Sequence, residues 1–316
     1  MNKIGNRWMK IMTFAGVITL MLAAFTGCTP RINYIYNNAE NYTAGDRVIT
    51  DQIENINIDY MSGNVTLTGT DTNTITITET ANKEIDDKRK VHTWVDGSTL
   101  YVRFCASAKY LDFNDIEKEL DIVVPEGVKL NILKSDVSSG GFTCRNIEAD
   151  SISAECSSGG IDLDCTAGTI NLEASSGSIT LNQHGSCDTI NLSASSGTLS
   201  GNIEHAGKLS LEASSGNIEM TLGTVKEFDS ELSSGNSTFT FLSLPETSDI
   251  HASSGDITLY APADPDLTVY VDTSSGDFNY ELPLAKKDGN YVCGNGACKM
   301  NIEASSGDVM LYKLAD

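Results

Sequence analysis

The stretch NLEASSGSITL (171–181) decides the fold, because close variants of it recur along the chain. The variants are NLSASSGTLSG (191–201), SLEASSGNIEM (210–220), DIHASSGDITL (249–259) and NIEASSGDVML (301–311). A Ser-Ser-Gly triplet begins at positions 138, 157, 175, 195, 214, 233, 253, 274 and 305, with 18 to 21 residues between successive starts until a last gap of 31. A period near 20 residues is the sequence signature of a solenoid, in which each repeat, or rung, stacks on its neighbour.

Apolar and polar residues alternate on both sides of each triplet. In the quoted stretch, Leu172 and Ala174 precede the triplet, and Ile179 and Leu181 follow it. A period of two is typical of strands that bury one face, so each triplet joins two strands around one core. Glycine supplies the positive φ that a tight corner often needs, and serine is small enough to stack. The sequence therefore predicts an all-β fold, a single-stranded parallel β-helix or β-solenoid with rungs of about 19–21 residues.

The serines of the triplets are predicted to be corner residues and not nucleophiles. A nucleophile needs a general base and an orienting group within hydrogen-bond reach. Nine near-equivalent triplets in a chain with four histidines do not fit that requirement. The sequence also has no nucleotide-binding loop, His-Glu-x-x-His motif, nucleophile elbow or zinc-finger spacing. We therefore predict no catalytic residue and no enzymatic activity.

The chain divides into four predicted parts. Residues 136–316 are the Ser-Ser-Gly solenoid, and the long last gap holds a hairpin insertion at 281–300. Residues 51–135 are rich in strand-like segments but less regular, so they are predicted to be irregular rungs that cap the solenoid. Residues 28–50 are predicted to be a lipid-anchored tether, and residues 1–27 a lipoprotein signal peptide.

Residues 1–27 have the pattern of a secretion signal. Three basic residues precede the apolar run at 11–25, whose 15 residues are fewer than the ~20 that a membrane-spanning helix needs. The following FTGC resembles a bacterial lipobox, although Phe25 replaces the usual Leu, Val or Ile. We predict cleavage before Cys28 and attachment of diacylglycerol to its thiol. The alternatives are an ordinary signal peptide with an incidental cysteine and a transmembrane helix.

The net charge limits the partners. It is -22 for the whole chain, and cleavage removes three positive charges and no negative one, which leaves -25 on the mature chain. Such a charge disfavours nucleic acid, which needs a basic surface, and adsorption to anionic lipid headgroups. With the predicted anchor, it indicates an extracytoplasmic protein at the outer face of the cell membrane, attached to the bilayer through Cys28.

Seven cysteines follow Cys28, an odd number that leaves at least one thiol without an intramolecular partner. Cys293 and Cys298 enclose GNGA and are predicted to form a local disulfide. Cys156 takes the place of an inward alanine and is predicted to be a small buried residue. Three others are spaced by 21 and 22 residues, about one rung, so that two of them could pair: Cys144, Cys165 and Cys187.

Several segments together resemble the bacterial putative-adhesin family of β-strand-repeat proteins, a domain family of unknown function. They are IDYMSGNVTLTG (58–69), ELDIVVPEGVKLNIL (119–133), the Ser-Ser-Gly repeats, and KDGNYVCGNGACKMNIEASSGDVML (287–311). The resemblance covers roughly residues 50 to 314. It implies a parallel β-helix-like fold, expected to be right-handed, an extracytoplasmic location and no established enzymatic activity. Some relatives are associated with envelope-stress systems in Gram-positive bacteria, so the resemblance also implies a Gram-positive source.

Two rows of acidic residues are candidate ligand positions. Two residues before the triplets lie Glu155, Glu173, Glu212 and Glu231, and directly after them lie Asp256, Asp277 and Asp308. Like charges stacked ~4.8 Å apart repel by about 1 kcal/mol per adjacent pair in water, and a bridging calcium ion would relieve the repulsion. The alternative is a solvated face, with Asp and Asn as turn residues. No firm metal site is predicted, since calcium-binding repeat motifs are absent.

Aromatic residues in the cap suggest a sugar-binding surface. The hairpin TWVDGSTLYVRF (93–104) contains Trp94, Tyr101 and Phe104, and Tyr110 and Phe113 follow. The alternative is that they pack the core of the cap.

These features predict a lipid-anchored, non-catalytic β-solenoid, either an adhesin or an envelope-associated binding and scaffold module. Its predicted partners are a cell-wall or host glycan or a membrane protein of the envelope, and no cofactor is predicted. One alternative is an accessory protein of an envelope-stress response that binds a membrane partner. The other is a polysaccharide-active β-helix enzyme, which would need a cleft with a clustered base.

Overall fold

The computed structural model describes residues 31–315, and it is a stack of β-strand rungs with one short 3-10 turn at Ala39–Asn41. Within these residues, no helix is long and apolar enough to cross a membrane. The first ten strands build the N-terminal end of the stack. They are β1 (Arg31–Tyr34), β2 (Thr43–Ala44), β3 (Arg47–Ile49), β4 (Asn55–Ser62), β5 (Val65–Thr70), β6 (Ile75–Ala81), β7 (His92–Asp96), β8 (Thr99–Arg103), β9 (Ala108–Asp112) and β10 (Lys118–Pro125).

The next six strands are long because most of them run through both faces of a rung. They are β11 (Lys129–Ser139), β12 (Phe142–Ser158), β13 (Ile161–Ser176), β14 (Ile179–Ser196), β15 (Leu199–Ser215) and β16 (Ile218–Ser234). Consecutive strands pair in parallel with the triplets in register, so Ser158 pairs with Ser176 and Ser176 with Ser196. The predicted all-β solenoid is therefore confirmed.

The core is mainly aliphatic and continues along the stack. The predicted inward residues Leu172, Ala174 and Ile179 are buried, whereas Glu173 between the first two faces solvent. Parallel register places like residues on each other, as where Leu172 pairs with Leu192. Burial of each such side chain contributes about 1.5–3 kcal/mol, so the inward rows hold the rungs together.

Each corner glycine has a positive φ and touches the preceding corner. The φ angles of Gly197 and Gly216 are 139° and 136°. An added Cβ on Gly216 would lie 1.9 Å from the carbonyl oxygen of Gly197. The Gly197 N–H donates to the carbonyl of Ser215 at 3.0 Å. Both the φ angle and the close approach of two backbones therefore require glycine here.

The last nine strands do not stack in chain order. They are β17 (Ser237–Phe241), β18 (Thr247–Ala252), β19 (Ile257–Ala261), β20 (Leu267–Ser275), β21 (Phe278–Tyr280), β22 (Ala285–Lys287), β23 (Asn290–Cys293), β24 (Cys298–Ser306) and β25 (Val309–Lys313). Strand β24 pairs in parallel with β18 on one side and β20 on the other, and β25 lies likewise between β19 and β21. The last rung of the sequence is thus inserted between the two before it, and the β20–β21 rung ends the stack.

The hairpin that was predicted at 281–300 is shorter in the structure. It consists of β22 and β23 and ends at Cys293, while the residues from Cys298 onwards belong to the inserted rung. Strand β23 pairs antiparallel with Leu267–Val269 of β20, on the outer side of the last rung. Its Tyr291 ring lies 4.9 Å from that of Phe278, so the hairpin covers the end of the core.

Residues 31–49 fold onto the cap, which corrects the prediction of a tether over 28–50. Strand β1 pairs antiparallel with β9, β2 with β7 and β3 with β6. Tyr34 is buried, and its hydroxyl donates to the carbonyl of Asp59 at 2.8 Å. These strands are two to four residues long, and their partners lie far away in sequence, so no local sequence pattern predicts them.

The cap also contains one complete rung that lacks the Ser-Ser-Gly triplet. Strands β4 and β5 meet at Gly63, whose φ is 105°. Ser62 pairs with Ser139, and an added Cβ on Gly140 would lie 2.2 Å from the Gly63 carbonyl oxygen. Gly63 is therefore a further corner of the same ladder.

A buried ion pair lies inside the cap. The Nζ of Lys118 is 2.7 Å from Oε1 of Glu79, and the two side chains are 0% and 3% exposed. The same Nζ donates to the carbonyls of Arg89 and Phe104 at 2.7 and 2.6 Å. The hydroxyl of Tyr60 donates to Glu79 at 2.8 Å. Burial lowers the pKa of Lys118, and the charge of Glu79 opposes that shift.

The described cysteines are all free thiols. Cys293 pairs with Leu267 on one side of β20, and Cys298 pairs with Leu267 on the other. One strand therefore separates them, which sets their Cα atoms about 10 Å apart, beyond the ~7 Å that a disulfide spans. The disulfide predicted between them is not formed in the structure.

The other five cysteines lie in the core: Cys105, Cys144, Cys156, Cys165 and Cys187. Cys156 pairs with the inward Ala174. Burial raises the pKa of Cys156 and of Cys187 to about 11, so these thiols stay protonated and poorly reactive.

We expect iodoacetamide to label Cys293 and Cys298 in the native protein and to spare the five core cysteines until the protein is unfolded. The two are partly exposed, whereas the core thiols are protected by burial. Peptide mass spectrometry of the labelled chain measures this. If labelling of Cys293 and Cys298 requires a reductant, the two form a disulfide and the backbone of this region differs from the structure.

Candidate functional site

The outward face of the strands that precede the corners is the strongest candidate site, and we call it the acidic face. Two residues before each corner, one row of side chains crosses the rungs at the ~4.8 Å strand spacing. In spatial order the row contains Asp136, Glu155, Glu173, Ser193, Glu212, Glu231, His251, Glu303 and Asp272. The four predicted glutamates lie in this row, with exposed or partly exposed side chains.

A shallow groove crosses the later rungs of the acidic face. Its lining includes Ser210, Glu212, Asp229, Glu231, Asp249, His251, Asn301 and Glu303. Side chains are bonded across it, with His251 Nδ1 3.2 Å from Glu303 Oε2 and Asn301 Nδ2 3.3 Å from Asp249 Oδ1. The sequence prediction missed Asp229 and Asp249. The same alternation could have found them, since they lie four residues before a triplet and are outward too.

Neighbouring charges in the row affect each other. Burial is the main cause that raises the pKa of Glu155, and the negative charges of Asp136 and Glu173 raise it further. Burial also raises the pKa of Asp136. A cationic or hydrogen-bond-donating ligand would relieve this repulsion.

The predicted aspartates lie in a second row, at the corners and apart from the first. Asn217 Oδ1 accepts the backbone N–H of Asn236 at 3.0 Å, and Asp256 Oδ1 accepts that of Asp308 at 2.9 Å. Asp308 Oδ1 accepts the N–H of Asp277 at 2.9 Å. These side chains thus bond rung to rung. Within the described residues, no group of three or more His, Cys, Asp or Glu is arranged to hold a metal ion, and the calcium ladder stays a prediction.

Half-buried aromatic residues lie at the N-terminal end of the acidic face. Trp94 stacks on Tyr101 with ring centroids 5.4 Å apart and planes at 21°, and Tyr42 lies 5.5 Å from Trp94. The guanidinium of Arg103 is 5.3 Å from the Tyr101 ring. Tyr101 pairs with Asn57 in the adjacent rung, and its outward side chain shares the face of the carboxylate row. We call Tyr42, Trp94 and Tyr101 the aromatic platform.

The other predicted aromatics do not join this platform. Phe104 and Phe113 are buried in the cap, with ring centroids 4.7 Å apart. Tyr110 is 66% exposed and has a φ of 64°. Packing in the cap therefore accounts for the two phenylalanines.

A histidine joins three rungs on the edge opposite the corners. His184 Nε2 lies 3.0 Å from Asp164 Oδ1, and its Nδ1 lies 3.1 Å from Glu204 Oε1. The hydrogen bond to Glu204 is the largest cause that raises the pKa of His184, and the contacts with Asp164 add to it. The backbone N–H of Gly185 and the His184 ring lower the pKa of Glu204.

Replacement of His184 by glutamine is expected to lower stability more at mildly acidic than at alkaline pH. A histidine pKa raised above its unfolded value of 6.5 stabilises the fold fully below that value, and the contribution is lost as the pH rises through the raised pKa. The lowered pKa of Glu204 keeps its own contribution until the pH falls further. Urea unfolding at about pH 6 and pH 9 measures the difference. An equal deficit at both values would show that the contacts are not ionic.

The fold and the acidic face together define a parallel β-solenoid with a polar outer surface. Residues 53–312 match the family model described as Toastrack DUF4097, so the chain belongs to this family, whose function is unknown. A comparison with curated proteins finds no match.

Solved structures of low sequence identity are also similar. One is a putative adhesin from Parabacteroides merdae ATCC 43184, with 13% identity over 86% of this chain and 97% of that chain and a TM-score of 0.45. Another is a putative adhesin from Parabacteroides distasonis ATCC 8503, with 15% identity over 86% and 97% and a TM-score of 0.42. A putative cell adhesion protein from Clostridium sporogenes ATCC 15579 has 11% identity over 86% and 100% and a TM-score of 0.24.

Proposed function

We propose that the protein is a non-catalytic binding and scaffold module of the bacterial envelope, of the adhesin type, that binds a glycan through the acidic face. One observation carries the proposal. The same outward face holds both the aromatic platform and the carboxylate row, on strands fixed by a continuous core. A rigid face of this kind loses little conformational entropy when it binds.

The two parts of the face suit the two parts of a sugar ring. The face of an aromatic ring packs against the apolar C–H side of a pyranose, as Trp94 and Tyr101 could. Ionised carboxylates accept several hydrogen bonds each, and sugar hydroxyls are donors. Repetition every ~4.8 Å along the stack would let a long polymer bind over several rungs.

The histidine of the groove gives no support to nucleophilic catalysis. This one histidine, His251, contacts the Glu303 carboxylate through Nδ1, and a nucleophilic mechanism would need that histidine beside a nucleophile. The groove also contains the clustered carboxylates that the polysaccharide-active alternative needs: Glu212, Asp229, Glu231, Asp249 and Glu303. An assay for released sugar therefore separates binding from glycoside cleavage.

We further propose that the chain is held at the outer face of the membrane by a lipid on Cys28, after removal of residues 1–27. Both lie outside the described residues. The first strand begins at Arg31, so a lipid on Cys28 would hold the cap close to the bilayer. Replacing Cys28 with alanine should release the protein from the membrane fraction into the medium or the wall fraction. Continued tight association with membranes would contradict the lipid anchor.

Retention of the soluble chain of residues 29–316 tests the proposed function. The chain is incubated with a panel of glycan resins and with the cell wall of the producing bacterium, with calcium or with chelator, and the supernatant is assayed for released sugars. Retention without release supports the proposal, and loss of retention with chelator supports a cation ladder. Released oligosaccharide would make the protein a polysaccharide-active enzyme. Absence of retention throughout would favour the envelope-stress accessory with a membrane-protein partner.

A further inference from the structure

The last rung of the stack has an open outer edge. Strand β20 pairs with β24 on its inner side, while β23 covers only Leu267–Val269 on its outer side. Strand β21 pairs with β25 on its inner side, and within residues 31–315 no strand pairs with its outer side. At the other end of the stack, antiparallel strands cover the rungs. One end of the stack is therefore covered by antiparallel strands. At the other end the hairpin covers part of the core, with Tyr291 on Phe278, and in the described residues the strand edge from Tyr270 to Tyr280 stays unpaired.

Each inner corner bonds the next corner through two backbone hydrogen bonds, and a corner with Asn or Asp after its glycine adds a third bond through that side chain. At the corner of Gly255, the glycine N–H donates to the Ser306 carbonyl at 2.9 Å, and the N–H of Ile257 donates to the Asp308 carbonyl at 2.9 Å. The carboxylate of Asp256 accepts the N–H of Asp308 at 2.9 Å. The corner of Gly255 thus donates two N–H groups to the next corner and accepts one N–H from it.

At the last corner the equivalent hydrogen-bonding groups have no protein partner in the described residues. The equivalent groups are the N–H of Gly276, the carboxylate of Asp277 and the N–H of Phe278. The backbone groups of residues 277 and 281 form hydrogen bonds with β25. Because the backbone groups of successive residues in a strand point to opposite sides, those of Phe278 point away from β25. In the described part of the chain, none of the three has a protein partner on the outer side. A sheet edge of this kind is a template for another strand.

The charge of the edge selects the occupant. Asp272 ends the carboxylate row, Asp277 ends the corner row, and both are exposed together with Glu281. A second mature copy would bring the same carboxylates and the same net charge of -25, which is -22 less the three positive charges of residues 1–27, to the contact. Like charges that face each other across strands destabilise the pairing, and opposite charges stabilise it.

We propose that the β20–β21 edge is a docking site for a basic, extended segment of a partner protein. The segment adds as the next parallel strand, turns at a glycine over Gly276, and places basic side chains beside Asp272 and Asp277. This site shares only Asp272, the last member of the carboxylate row, with the acidic face, and it binds through the strand edge and not through the outward face, so either proposal can fail while the other stands.

The test uses two labelled peptides derived from residues 171–181. The basic probe is NLKASSGKITL, and the acidic control is NLEASSGDITL. Fluorescence polarisation with the soluble chain of residues 29–316 should show saturable binding of the basic probe, at least about tenfold tighter than that of the acidic control. The double variant Asp272→Lys/Asp277→Lys should reverse this preference.

A matched variant separates the edge from general charge. Glu212→Lys/Glu231→Lys changes the same number of charges in the middle of the acidic face and should leave binding of the basic probe within about twofold. Equal losses in the two double variants, or no binding of the basic probe, would overturn the proposal. Dimerisation of the wild-type chain in sedimentation, abolished by the edge variant, would overturn it in favour of a second copy as occupant.

Discussion

Replacing Gly216 with alanine is expected to lower the free energy of unfolding by about 4 kcal/mol, from backbone strain of about 1–3 kcal/mol and overpacking of about 1–3 kcal/mol. The φ of Gly216 is 136°, which L-residues rarely adopt. The new Cβ would lie 1.9 Å from the carbonyl oxygen of Gly197 and 2.7 Å from its carbonyl carbon. Since both contacts are with backbone, relief requires the two rungs to separate. Chemical denaturation followed by circular dichroism measures the loss.

Gly127 offers the matched control. Its φ is 78°, and a Cβ there would meet nothing within 4 Å. Replacement by alanine should therefore cost only the conformational penalty, about 1–2 kcal/mol. If the two variants lose the same stability, the contact between stacked corners is not what requires glycine in the ladder.

Replacing Lys118 with methionine is expected to destabilise the protein by about 3–5 kcal/mol, the usual cost of removing one partner of a buried ion pair. The side chains of Lys118 and Glu79 are 0% and 3% exposed, so water cannot replace the lost ammonium. The carbonyls of Arg89 and Phe104 would lose their donor as well. The cap should unfold first, which hydrogen exchange of β6 and β10 would detect.

Lys129 provides the exposed counterpart. Its Nζ lies 2.6 Å from Asp150 Oδ1, but the two side chains are 53% and 61% exposed. Exposed ion pairs contribute little to stability, so Lys129→Met should leave the free energy of unfolding close to that of the wild type. Similar losses for Lys118→Met and Lys129→Met would show that burial does not govern the strength of the Lys118–Glu79 contact.

The rung could be predicted from sequence because its determinants are local. Alternation around NLEASSGSITL assigns each side chain to the core or to solvent, and the glycine marks the corner. The outward carboxylate row follows from the same alternation, as do Asp229 and Asp249, which were overlooked. The corner at Gly63 was not predicted because a methionine, Met61, replaces the first serine of the triplet there.

The order of the last rungs could not be predicted, because all Ser-Ser-Gly rungs present the same backbone hydrogen-bonding groups at their edges. The corner of Gly255 could receive Gly276 or Gly307 equally well, and the structure places Gly307 there. The disulfide prediction failed for the same reason, since only the inserted position of β24 puts β20 between Cys293 and Cys298. The early strands were missed because their partners lie far away in sequence.

Retention on the cell wall of the producing bacterium, compared between two triple variants, tests the central claim most directly. One variant changes Glu212, Glu231 and Glu303 of the acidic face to glutamine, and the other changes Glu219, Thr238 and Thr258 of the opposite face to glutamine. The account predicts that wild type and the second variant are retained without release of sugar. It predicts at least about tenfold weaker retention of the first, because hydrogen bonds to charged groups contribute about 1.5–3 kcal/mol each. Equal retention of both variants, or release of oligosaccharide by any of the proteins, would contradict it.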